Sequence, residues 1–295
     1  MCDPIVRSIL PLLPPDVRDA AAALPEEQQR LMEELRLRRG ENAAAVIAGR
    51  EVPLGCPSVR VSGEAIEFLL NAATGFSVYA RTESVREGFL PLAGGHRLGL
   101  CGTAVVEHGE IVTLRDVSSV NLRLARQFRG CADEVSEAVS PGESCLIAGP
   151  PGSGKTTMLR DLVRQLSDRY EFRMGLVDSR GEIAACSGGA PQLNVGRRTD
   201  VVSLCPKEQG MELLLRAMRP DWIAVDEITS PADVAAVSRA GYCGARMIAT
   251  AHVGTPEELM RRPVYRELLE LGLFTVFVGL DARRRVKLLR RDELC

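Results

Sequence analysis

A chain of 295 residues, 45% apolar and 26% charged, carries enough hydrophobic side chains to bury a core in one large or two medium domains, which excludes wholesale disorder. Its formal net charge of -2 excludes a strongly basic field for nucleic acid, and aromatic residues for base stacking make up only 4%. Nine cysteines are scattered without a CxxC pair or a histidine at zinc-finger spacing, so they read as reduced thiols of a cytoplasmic protein.

The opening stretch MCDPIVRSILPLLPP is too short and too interrupted by proline for a membrane span. Leu31, Met32 and Leu35 among glutamates and arginines predict an amphipathic helix over 25–39, stopped by Gly40. Apolar residues three or four apart predict two more helices, over 63–74 and 76–87. The texture then turns to alternation. HRLGLCGTAVVEHGEIVTL predicts a hairpin turning at His108-Gly109, and SSVNLRLA a further strand of that sheet. A helical stretch over 130–139, closed by Ser140-Pro141-Gly142, connects the smaller α+β domain, residues 1–128, to the rest.

From Glu143 the strands SCLIA, FRMGLVD, WIAVDE and RMIATA alternate with helices over 156–167, 207–218, 231–242 and 256–271. FTVFVGL and RVKLLRR close the series as a hairpin. Alternating strands and helices predict a parallel sheet with crossover helices, so residues 129–295 are expected to form an α/β domain of RecA-like layout.

Gly149, Pro150, Pro151, Gly152, Ser153, Gly154, Lys155 and Thr156 follow an apolar strand and open a helix, the context that the GxxxxGK[ST] phosphate loop needs. Backbone amides of such a loop converge on phosphates, the helix N-terminus adds partial positive charge, and Thr157 continues the cradle. Lys155 is expected to reach the β- and γ-phosphates of ATP, and the Thr156 hydroxyl to bind Mg²⁺.

Asp226 and Glu227 end the apolar strand WIAVDE. Asp226 is expected to hold the Mg²⁺ shell and Glu227 to orient and deprotonate the attacking water, because in-line hydrolysis needs an ordered nucleophile. The blander alternative is an acidic pair that caps the next helix. His252 closes the strand RMIATAH at the carboxyl edge of the sheet, where ligands bind in open α/β folds, and is expected to sense the γ-phosphate unless it is a structural histidine. Asp178, Arg180 and Glu182 stand open between a place beside metal, water and phosphate and a salt-bridged loop. Charge spreading over the γ-phosphate also asks for a cation from a neighbouring subunit or domain, with Arg81, Arg97, Arg197, Arg198 and Arg219 as candidates. Arg283, Arg284 and Arg285, with Arg290 and Arg291, read as a solvated strand end, the alternative being a contact to lipid or nucleic acid.

LLLRAMRPD leading into WIAVDEI, followed by ATAHV, resembles the secretion and pilus-retraction ATPase superfamily. SVYARTESVREGFLPLAGGHRLGLCGTAVV, SSVNLRLAR and VDSRGEIA narrow the resemblance to the sporulation stage III AA family. It covers nearly the whole chain; the phosphate loop is generic, whereas GGHRLGLCG with SSVNLRLAR is specific. The resemblance implies an Mg²⁺-dependent ATPase in a hexameric ring, held at the inner face of a membrane through membrane proteins of a sporulation complex. There it would energise a secretion-like channel between mother cell and forespore. The resemblance carries Lys155, Thr156, Asp226, Glu227 and His252 onto the roles given above. One departure is the full Asp226-Glu227 pair, where secretion ATPases usually have a degenerate pair and an acidic box on the second strand. Two other function classes are a nucleic-acid-associated ATPase, whose Arg-x-x-x-His signature is absent from the sequence, and an ATP-regulated scaffold with little turnover.

Overall fold

The computed structural model describes residues 2–75, 88–170, 172–254 and 256–293. The chain divides into two compact units, Met1–Arg126 and Gln127–Cys295.

In the first unit, alternation overrules the helix expected over 25–39. Leu35 and Leu37 are buried and the residues between and beside them are not, which makes residues 32–38 strand β1 (Met32–Arg38) and confines helix to α3 (Glu26–Leu31). Leu31, four residues before Leu35, supplied the false helical spacing and is 52% exposed. Strand β1 sits in a six-stranded antiparallel sheet with β2 (Ala44–Ile47), β3 (Arg50–Pro53), β4 (Phe89–Pro91), β5 (Arg97–Glu107) and β6 (Glu110–Arg123), in the order β3-β2-β1-β6-β5-β4. One face, with Leu35, Leu37, Leu98, Leu100, Val120 and Leu122, packs on Val6, Val17, Ile66 and Leu69 from α1 (Pro4–Ile9), α2 (Pro15–Ala22) and α4 (Gly63–Thr74). The predicted helix over 63–74 is present, started by the Ser62 hydroxyl on the Ala65 amide and stopped by left-handed Gly75. The hairpin turns at His108 and Gly109, both at positive φ. SSVNLR continues β6 instead of forming the further strand expected there. The predicted helix over 76–87 lies outside the described residues.

The second unit is built on a seven-stranded sheet of β7 (Ser144–Gly149), β8 (Met174–Asp178), β9 (Thr199–Ser203), β10 (Trp222–Val225), β11 (Arg246–His252), β12 (Phe274–Leu280) and β13 (Val286–Arg290). The order is β13-β12-β7-β11-β10-β8-β9, parallel throughout except for the closing β12–β13 pair. Successive residues of each strand feed two separate cores. Leu146, Val225 and Ala249 face α7 (Lys207–Ala217) and α8 (Pro231–Tyr242), while Cys145, Ile147, Ala224 and Ile248 face α5 (Asp133–Ala138) and α6 (Lys155–Arg169). Strand β9, half exposed at the sheet edge, was not anticipated. The helix expected over 256–271 is two, Pro256–Arg261 and Pro263–Glu270, because Pro263 lacks an N–H and holds Arg262 in an extended conformation.

Strand β11 lies between β7 and β10, with His252 opposite Gly149 and Ala249 opposite Val225. The carboxyl ends of three adjacent strands therefore carry the phosphate loop, His252 and the Asp226-Glu227 pair.

Candidate active site

Between β7 and α6 the loop turns through left-handed Gly152 and Gly154, at φ 73° and 95°. Helix α6 starts at Gly154 without a side-chain cap, so the amides of its first turn are left for an anion. These residues open into a cavity of about 630 Å³ lined by Gly152 to Met158, Arg180, Glu182, Asp226, Glu227, Thr250 and His252. Phe128, Cys131, Leu280, Arg284 and Val286 complete its wall. Gly149, Pro150 and Pro151 are not part of that wall, and the two prolines have no N–H to offer a phosphate.

Lys155 is 8% exposed and its ammonium donates to the carbonyls of Gly149 (2.9 Å) and Pro150 (2.8 Å). Burial lowers its pKa despite the nearby Glu227 and Asp226 charges. A buried ammonium on two carbonyls suits an incoming phosphate, which would supply the counter-charge.

Thr156 Oγ1 stands 3.5 Å from Asp226 Oδ2. The other Asp226 oxygen accepts from Thr250 Oγ1 at 2.6 Å, and Thr250 Oγ1 in turn accepts the Glu227 amide at 2.7 Å. Burial, with the carboxylates of Glu227, Glu182 and Asp178 adding to it, raises the Asp226 pKa against that hydrogen bond. A divalent cation would relieve this crowding, and Thr156 and Asp226 are residues that could hold it. Among the described residues no group of three or more His, Cys, Asp or Glu side chains forms a metal cage.

Glu227 holds a left-handed backbone at φ 42°, a costly conformation for a side-chain-bearing residue. Lys207 donates to its carbonyl and pairs with Asp233 at 3.5 Å. Its carboxylate faces His252 Nδ1 at 2.8 Å through Oε1 and the Arg180 guanidinium at 2.9 Å through Oε2. Burial alone would raise its pKa, but the His252 hydrogen bond and the Arg180, His252 and Lys207 charges outweigh that and lower it. His252 is held by its own backbone, its amide donating to Tyr265 Oη and its carbonyl accepting from Arg262, both at 3.0 Å. Its buried Nε2 has no partner among the described residues.

Of the open triad, Asp178 is 1% exposed and accepts the amides of residues 182 to 185, so it organises its loop. Arg180 and Glu182 line the cavity. Arg197 pairs with Asp168 and Arg198 binds the Tyr170 carbonyl. Arg219 lines a different cavity with Arg173, Asp221 and Arg246 at the amino ends of the strands. Arg97 lies on β5 over the Phe89 ring, and Arg81 falls outside the described residues. Of the arginine run, Arg284 lines the phosphate-loop cavity while Arg285 pairs with Asp281 and Arg290 with Glu143. Thr250, Lys207 and Tyr265 were missed by sequence reasoning. Period-2 spacing from His252 along β11 was a signal for Thr250.

A parallel sheet ending in a phosphate loop and a carboxylate pair defines a RecA-like P-loop domain, and solved structures share the fold. The Legionella pneumophila ATPase DotB superposes with a TM-score of 0.57 at 19% identity, over 88% of this chain and 76% of that one. The pilus retraction motor PilT with bound ADP gives 0.61 at 16%, over 86% and 76%. The family described as sporulation stage III, protein AA, matches residues 7–289, and the chain belongs to that family. It is 34% identical to the stage III sporulation protein AA of Bacillus subtilis (strain 168), over 94% of this chain and 91% of that protein.

Proposed function

We propose that the chain binds ATP with Mg²⁺ and hydrolyses it to ADP and phosphate as the motor of a sporulation secretion-like complex. The observation that carries this reading is Thr156 facing Asp226 at 3.5 Å across the phosphate loop, with the Glu227 carboxylate on the same cavity. Amides of residues 152 to 156 and the Lys155 ammonium hold the phosphates. Glu227, steadied by His252, accepts the proton of the attacking water. Mg²⁺, held by Thr156 and Asp226, would neutralise charge on the phosphate oxygens.

In this reading residues 129–295 are the motor domain and residues 1–128 couple it to its partners. Six copies form a ring in the cytoplasm, peripheral to a membrane through membrane proteins of the sporulation complex, and one subunit supplies a cation to its neighbour's γ-phosphate. No helix among the described residues is long and apolar enough to cross a membrane.

The test is Mg²⁺-dependent ATP hydrolysis per subunit over a range of protein concentration, for the wild type, Lys155→Ala and Glu227→Gln. Specific activity is expected to climb with concentration and to fall about a hundredfold or more in both variants. Nucleotide binding without turnover at any concentration would count for a scaffold instead.

A further inference from the structure

A general base must turn a carboxylate lone pair towards the attacking water, and both oxygens of Glu227 are already engaged by a partner: Oε1 by His252 Nδ1 at 2.8 Å and Oε2 by Arg180 at 2.9 Å. The two contacts differ in how firmly they are anchored. His252 sits on a strand paired on both sides, with its amide on Tyr265 and its carbonyl on Arg262. The Glu227 backbone is equally fixed, by Thr250 on its amide and Lys207 on its carbonyl.

Arg180 is different. The loop that carries it is pinned, because the Asp178 carboxylate takes the amides of residues 182 to 185 and Arg160 takes the carbonyls of Glu182 and Ile183. The side chain itself is 63% exposed and lines the same cavity as Lys155 and Thr156. A guanidinium lining that cavity would choose between two anions: the Glu227 carboxylate, met at a contact open to solvent on its arginine side, and the terminal phosphate of a bound nucleotide, which carries more charge and more acceptor oxygens. ADP lacks that phosphate.

We propose that Arg180 is the residue that distinguishes a nucleoside triphosphate from a diphosphate, exchanging the Glu227 carboxylate for the γ-phosphate and so releasing Oε2 to the attacking water. The inference rests on the nucleotide-binding reading above. Arg180 is thus a positioning residue for the base and a specificity residue for the third phosphate. With ADP bound the exchange does not occur, and Glu227 stays held by both partners.

Affinity separates this assignment from a structural role. Full-length wild type, Arg180→Ala, Arg180→Lys and Glu227→Gln would be titrated with MgADP and with the magnesium complex of the β,γ-imido analogue of ATP, following the heat of binding. Arg180→Ala is expected to weaken the triphosphate analogue about tenfold or more and to leave ADP unchanged, its ADP binding also showing that the variant is folded. Arg180→Lys is expected to recover part of the loss. Glu227→Gln, which weakens the competing contact, is expected to tighten the analogue without affecting ADP. Equal weakening of both ligands by Arg180→Ala, or no change in either, overturns the proposal while leaving nucleotide binding intact. A wild type that binds neither ligand overturns the nucleotide reading itself and the role of Arg180 with it.

Discussion

Thr250, 0% exposed, ties the Asp226 carboxylate to the Glu227 backbone with a single hydroxyl, donating to Asp226 at 2.6 Å and accepting from the Glu227 amide at 2.7 Å. Thr250→Val keeps the shape and strands two half-buried polar groups, each at up to about 1–3 kcal/mol. Turnover is therefore expected to fall roughly ten- to a hundredfold while ADP affinity stays near that of the wild type, as the phosphate loop is untouched. Steady-state kinetics beside ADP titration checks this, and an unchanged kcat would sink it. Lys155, Thr156, Asp226 and Glu227 were legible in the sequence because a phosphate loop and a strand end are local, contiguous structures. Thr250, Lys207 and the Arg180–Glu227 contact were not, because they exist only once β11 is inserted between β7 and β10 and the loop after β8 is brought to the same edge.

Hairpin β5–β6 depends on a glycine for space. Its ladder slips between Cys101 and Thr103, and a Cβ added at Gly102 would lie 2.6 Å from the Arg115 carbonyl oxygen and 2.9 Å from the Val117 Cα. Both obstacles are backbone, so the strands must part. Gly102→Ala is expected to destabilise the first unit by about 1–3 kcal/mol, seen as faster amide exchange over residues 97–123. Gly109→Ala meets nothing within 4 Å and costs only the strain of its positive φ, about 1 kcal/mol. Equal exchange rates in the two variants would count against this account. The hairpin was readable because alternation and a His-Gly turn are local signals, as were six of the seven strands of the second sheet. Strand β1 was misread because Leu31 and Leu35 imitate a helical repeat, and β9 was invisible because a five-residue, half-exposed edge strand has no burial pattern to betray it.

At the scale of the whole molecule, each unit has its own core, and two different levers act on them. His96 in the first unit is 3% exposed; the Ala125 amide donates to its Nδ1 at 3.0 Å, which leaves Nε2 to carry the hydrogen and donate to Ser8 Oγ at 3.0 Å. Burial first, then the Arg126 charge, lowers its pKa from 6.5. The unfolded chain then takes up a proton that the folded one refuses. The stability this histidine confers is present above its unfolded pKa of 6.5 and is lost as pH falls from there through the lower folded value. Nucleotide acts elsewhere, since every residue of the phosphate-loop cavity belongs to the second unit. At a hundredfold excess over its Kd, MgADP should stabilise the folded state there by ~2.7 kcal/mol. Trp222, the sole tryptophan of the sequence and 2% exposed on β10, reports that unit by fluorescence. Between about pH 7 and about 5.5, where carboxyl groups remain ionised, amide exchange over 97–123 is expected to accelerate with acid after correction for the intrinsic rate. MgADP should raise the urea midpoint of Trp222 fluorescence without removing that acid dependence. His96→Gln, which cannot take up the proton, should flatten it, and an acid dependence that survives this substitution would place the titrating group elsewhere.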